Sequence, residues 1–238
     1  MASLASDQVS QDEQRLREAT TTTDDEAEFL AALDETVDAL ESDGVPYLLM
    51  GGIASACLGR PRWTHDIDLF VKPTDARRVL EALAAKGFET EQTFPDWLFK
   101  ASKHGQLIDI IFRSTGDIYV DDEMLARARP REFMGRHLRI IPPEDLLVIK
   151  AVVHGEHMPR HWHDALALLA HCQELDWDYL LKRARKGVRR VLSLLLYAQS
   201  NDLVVPWRPV RELFRLIDDP GHDDAEPDQA TSEIARAS

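Results

Sequence analysis

The segments Tyr47-Leu-Leu-Met-Gly51-Gly52-Ile-Ala54 and Arg62-Trp-Thr64-His-Asp66-Ile-Asp68-Leu-Phe-Val71 decide how this chain is read. The first is an apolar strand running into a Gly-Gly turn and then a short helix over 53–58. The second is a strand that carries two aspartates one residue apart. Side chains alternate faces along a strand, so Asp66 and Asp68 share a face while Ile67 points into the core. Two such carboxylates repel each other, and the repulsion is relieved when a cation sits between them. A divalent metal is the natural resident, and a phosphate-bearing nucleotide is its natural partner. The pair points to phosphoryl chemistry.

Gly51 and Gly52 fit the same chemistry. Glycine lets the backbone approach a phosphate closely, and the helix that follows offers unpaired N–H groups at its N-terminus. Ordinary strand-to-helix turns use glycine too, and it is the neighbouring aspartates that favour a nucleotide cradle.

Working outward, Phe29, Leu30, Leu33, Val37 and Leu40 predict an amphipathic helix from Asp24, closed near Gly44. Thr74 reads as the N-cap of a helix through Lys86, with Gly87 as its stop. Strands are predicted over 88–90, 97–100, 107–112 and 138–141. After Pro142-Pro143 the pattern turns helical, over 144–154, 162–172, 177–200 and 207–217. The division is therefore a polar acidic segment over 1–23, an α/β core over 24–141, a C-terminal helical part over 142–217, and a second acidic segment over 218–238. The two acidic segments read as disordered and solvated.

Gly51-Gly52, a short helix, and Arg62-x-Thr64-x-Asp66-x-Asp68 within apolar strand residues resemble the signature of the nucleotidyltransferase superfamily, which has the polymerase-beta-like fold. The resemblance covers roughly residues 45 to 170 and is closest to stand-alone toxin-like members of type IV, abortive-infection systems. It implies an α/β (α+β) fold: a small mixed sheet flanked by helices, followed by a helical C-terminal part. It also implies a third carboxylate on a later strand, matched by Asp109 in Gln106-Leu-Ile-Asp109-Ile-Ile-Phe112. Asp66, Asp68 and Asp109 are then the catalytic metal ligands, holding two Mg2+ or Mn2+ ions. Gly51, Gly52, Arg62 and Thr64 become nucleotide-binding positions.

A second stretch adds to the resemblance. Glu144-Asp-Leu-Leu-Val-Ile-Lys150 followed by Arg160-His-Trp-His-Asp164 is similar to a Glu-Asp-Leu…Lys…Arg-x-Lys-Asp pattern in the toxin-like members. There the lysine contacts nucleotide phosphates and the aspartate supports the site, which implies those roles for Lys150 and Asp164. A lysine snorkelling at the helix edge is the other reading of Lys150. His163 departs from the pattern, standing where lysine is common.

Composition narrows the setting. Hydrophobic residues make up 44% and charged residues 29% of the 238, an ordinary globular balance. No apolar run reaches the ~20 residues of a membrane helix, and no signal pattern opens the chain. Two cysteines make no disulfide framework and suit a reducing cytoplasm. The net charge of −14 resides mainly in the ends: residues 1–28 hold eight acids and two bases, and 218–238 hold seven acids and one base. The remainder is nearly balanced and free to bind a polyanion. Lys182-Arg-Ala-Arg185-Lys-Gly-Val-Arg189-Arg190 is either such a surface or the solvated face of a helix. His154, His157, His161 and His163 do not match structural-zinc spacing and read as turn histidines.

The expected activity is metal-dependent transfer of NMP from an NTP to an acceptor. RNA (tRNA), a small hydroxylated molecule or a protein are all open as acceptor, and a toxin role would add an antitoxin partner. The rival is a catalytically silent nucleotide-binding module in a defence or regulatory complex. The presence of all three carboxylates argues against it.

Overall fold

The computed structural model describes residues 25–59, 64, 66–155, 158–172 and 175–218. Arg62 and His157, and the segments 1–24 and 219–238, for which expectations are made above, lie outside the described residues. A first helix, α1, spans 25–42. It is followed by β1 (Leu48–Leu49), α2 (Gly51–Leu58), β2 (Asp66–Phe70), α3 (Ala76–Ala85), β3 (Glu89–Phe94), β4 (Leu98–Lys103) and β5 (Gln106–Ile111). Then come α4 (Asp122–Arg127), β6 (Arg129–Phe133) and β7 (Arg136–Ile140). A run of helices completes the order: α5 (Pro143–Val153), α6 (Arg160–His171), α7 (Trp177–Ala184), α8 (Val188–Ser200) and α9 (Trp207–Asp218).

The strands form one mixed sheet of order β3-β4-β5-β2-β1-β7-β6. β2 and β5 are parallel, as are β1 and β7, and the other neighbours are antiparallel. This is the mixed α/β sheet flanked by helices, with a helical C-terminal part, that the sequence predicts; β6 is a strand the sequence reading does not include.

Alternation along β4 and β5 sorts the two faces. Phe99, Ala101, Ile108 and Ile110 are buried on one side, the side covered by α1 and α3. Lys103 joins those helices there, donating to Glu35 of α1 and to the Lys86 carbonyl at 2.7 Å. Lys100 and Asp109 occupy the other side, where α2, α5 and α6 leave a cleft.

α5 is the axle of the helical part. Every residue from Glu144 to Val153 is buried, so its three ionised side chains need partners. Glu144 Oε1 accepts the Asp176 N–H at 2.7 Å, and Asp145 accepts the Tyr179 hydroxyl at 2.7 Å. Arg183 Nε lies 2.5 Å from the other Asp145 oxygen and reaches Asp121, the N-cap of α4, as well. Lys150 pairs with Asp164 of α6 at 2.9 Å.

Two expectations need correction. Asp75, not Thr74, precedes α3, and its side chain makes no cap bond. The span 177–200 is two helices, because Gly187 packs against Val152 where a Cβ would lie 2.3 Å from that side chain. The cationic stretch is therefore split between two helices. Lys182 is paired with Glu123, and Arg183 is largely buried. Cys57 on α2 is half-buried, with its pKa pushed up to about 11 by burial.

Candidate active site

The cleft forms where β1 ends and the register of three strands coincides. Asp68 on β2 pairs with Asp109 on β5, which pairs in turn with Lys100 on β4. Asp66, Asp68, Asp109 and Lys100 all line the cleft, with Gly51, Gly52, Thr64 and Lys150. The predicted residues other than Asp164 and Arg62 are thus in one cavity. Asp164 lies one ion pair away, through Lys150, and Arg62 is outside the described residues.

Both glycines are dictated by what lies above them. Gly51 has φ +56°, and a Cβ there would meet Asp68 Oδ2 at 1.7 Å. A Cβ on Gly52 would meet the Thr64 hydroxyl oxygen at 2.2 Å. The Gly52 N–H points to Asp68 Oδ2 at 3.4 Å, a long contact. The Gly-Gly turn and the Thr-x-Asp-x-Asp strand are therefore two halves of one packed contact.

Charge is concentrated at Asp68. Burial pushes its pKa up to about 6, the charges of Asp109 and Asp66 push the same way, and Lys150 opposes them. Asp109 is also raised, by burial first, and Lys100 opposes this through a 3.0 Å hydrogen bond to Oδ1. Lys150 is only 5% exposed. The snorkelling alternative is thereby excluded: its ammonium is enclosed beside Asp164, on the wall facing Asp68.

Three carboxylates on one cleft wall, with Asp68 and Asp109 raised in proton affinity, suit a hard divalent cation, which binds through oxygen and neutralises their repulsion. Among the described residues no three His, Cys, Asp or Glu side chains gather closely enough to hold an ion as they stand. Asp109 is engaged by Lys100, and Asp66 is exposed. By donor chemistry the residues fit the group.

Sequence reasoning missed three cleft residues. Lys100 sits in a strand with no motif, and only the β4–β5 register reveals it. Arg113 follows β5 on the face of Asp109, which the period-two pattern could have flagged. His161, read as a solvated turn histidine, lines the cleft instead, and burial holds its pKa down to about 4.

The family of uncharacterised nucleotidyltransferases matches residues 2–200, and the chain belongs to that family. No curated protein matches the chain. Among solved structures it is similar to the antibiotic-resistance factor ANT(2'')-Ia, with 16% identity, a TM-score of 0.44, and coverage of 77% of this chain and 95% of that one. It is also similar to the lincosamide antibiotic adenylyltransferase LnuA in its lincomycin-bound form, with 18% identity, a TM-score of 0.43, and coverage of 60% and 95%.

Proposed function

We propose that this nucleotidyltransferase-family chain transfers NMP from an NTP to a hydroxyl acceptor, using Asp66, Asp68 and Asp109 as its catalytic carboxylates. The observation carrying the reading is the contact of the Gly51-Gly52 turn with Asp68 and Thr64, which brings the N-terminal turn of α2 against the paired carboxylates. In the reaction the acceptor oxygen attacks the α-phosphorus, the bond to the leaving pyrophosphate breaks, and the acceptor proton passes to one of the carboxylates. Divalent cations held by the three aspartates would supply charge neutralisation at the attacking and leaving oxygens.

The chain's own groups have separable parts in this reading. The first N–H groups of α2 receive phosphate oxygens. Lys150, held by its ion pair with Asp164, places its ammonium across the cleft from Asp68. Lys100 fixes the orientation of Asp109 through Oδ1. Ile149 and Val153 form an apolar wall on the helical side of the cleft.

The deciding experiment incubates the purified chain with each labelled NTP, Mg2+ or Mn2+, total tRNA and a panel of hydroxylated small molecules. Label transfer is expected for one NTP and one acceptor class, and the double change Asp66→Asn with Asp68→Asn abolishes it. Transfer that survives the double change rules the reading out.

A further inference from the structure

We propose that Arg113 and His161, reaching into the cleft from its sheet wall and its helical wall, form a subsite for a phosphate group carried by the acceptor. The proposal rests on the nucleotidyltransferase reading above and names the chemistry of its second substrate.

The first observation is unsatisfied polarity. Arg113 Nε and both ring nitrogens of His161 are buried without a hydrogen-bond partner among the described residues. Arg113 is 19% exposed, and its nearest carboxylate, Asp117, stands 3.7 Å away, beyond hydrogen-bonding distance. Buried polar groups are normally paired, and an unpartnered one loses its solvation without compensation. The two residues that carry these atoms both line the cleft, and a ligand that accepts from both walls would partner them.

Position separates this subsite from the nucleotide cradle. Leu107, Asp109, Ile111 and Arg113 alternate onto one face of the β5 line, and all four line the cleft. Arg113 is thus about 13 Å along the chain from Asp109. The Gly51-Gly52 turn follows β1, which is separated from β5 by β2, about 10 Å across the sheet. A triphosphate seated at the glycines leaves the Arg113 end to the other substrate.

Charge selects the ligand. Besides the three aspartates, the ionisable groups lining the cleft are Lys100, Arg113, Lys150, Arg160 and His161. A polycationic acceptor would meet like charge there. Phosphate instead matches the guanidinium fork and an imidazole N–H. His161 is faced by Lys150 from α5, by Arg160 and Asp164 on its own helix, and by His154 at the end of α5. Burial and these cations keep the imidazole neutral in the free chain. An arriving anion reverses that preference and draws a proton onto the ring.

The test follows His161 ring and Arg113 Nε resonances by NMR on the full chain, with the Gly52 amide as a separate reporter. Inorganic phosphate is titrated alone, and again with Mg2+ and a non-hydrolysable NTP analogue in excess. The expected result is that phosphate shifts the Arg113 and His161 signals in both series, with the His161 pKa moving up. Arg113→Gln weakens phosphate binding at His161 about tenfold or more, the loss of one charge-assisted hydrogen bond. His161→Asn, which keeps a donor, weakens it less than His161→Ala. Two results overturn the proposal: the two side chains ignore phosphate, or the nucleotide analogue alone moves them and phosphate then adds nothing. A Gly52 amide indifferent to Mg2+-nucleotide would instead count against the nucleotidyltransferase reading. Once phosphate binding is established, a phosphorylated sugar and a short RNA compared as competitors distinguish a small acceptor from a nucleic-acid one.

Discussion

Gly51 concentrates the residue-scale physics of this cleft. Its φ of +56° is a conformation that L side chains adopt at a cost, and the space a Cβ would need is already filled by the Asp68 carboxylate. Gly51→Ala is therefore expected to destabilise the fold by about 1–3 kcal/mol. By moving Asp68, it also lowers the transfer rate by about a hundredfold. Thermal unfolding and single-turnover label transfer check the two parts separately.

Asp68 makes a second prediction, through its proton. Its folded pKa of about 6 lies above the ordinary carboxylate value. The folded chain therefore binds that proton more tightly than the unfolded chain does. Without metal, the stability contributed by the protonated form is present at low pH and is lost as pH rises from near 4 through about 6. A divalent cation replaces the proton only once the carboxylate is ionised. Mg2+ is accordingly expected to raise the melting temperature more at about pH 8 than at about pH 5. Asp68→Asn removes most of the difference. A scan of melting temperature with and without Mg2+ at both values decides it.

At the scale of elements, the helical part depends on how α5 disposes of its buried charges. Asp145 is 1% exposed, and burial pushes its pKa up to about 6 despite the Arg183 guanidinium beside it. Arg183→Met strands that carboxylate and is expected to cost about 3–5 kcal/mol near neutral pH. The cost shrinks as pH falls below about 6, where Asp145 takes a proton. Chemical denaturation at two pH values measures the difference. This node was not legible in the sequence. Glu144 and Asp145 stood in a motif, but their partners Asp176, Tyr179 and Arg183 lie about thirty residues or more along the chain, and nothing local joins them.

Legibility elsewhere follows the same division. β2 and β5 could be read because apolar residues flank their aspartates on both sides, a pattern set by burial under helices. β6 could not. Arg129-Pro130-Arg131-Glu132-Phe133 is an edge strand whose charges and proline keep it from pairing further, and those features hide its strand character. α4, at six residues, is too short to show a period. Within the cleft, the glycines and paired aspartates announce themselves because they touch within one supersecondary unit. Lys100 and His161 are brought in by register and by helix packing, which no local pattern encodes.

Across the whole molecule, charge is sorted by location. The net −14 comes mainly from the two ends, while residues 29–217 hold 27 acids and 25 bases. In that middle portion the cleft carries four permanent cations beside its three aspartates. Arg185, Lys186, Arg189 and Arg190 are exposed around the α7–α8 junction. Two acidic ends attached to such a body lower the local concentration of any polyanion and should do so mainly through long-range repulsion. Deleting 1–24 and 219–238 together is therefore expected to tighten binding of a labelled single-stranded RNA by about threefold to tenfold at low ionic strength. The gain should vanish at about 1 M salt, where the screening length falls to about 3 Å. Fluorescence anisotropy of the full and shortened chains at both ionic strengths measures it. A gain that persists at high salt would mean that the ends block the binding surface by contact instead of repelling the ligand from a distance.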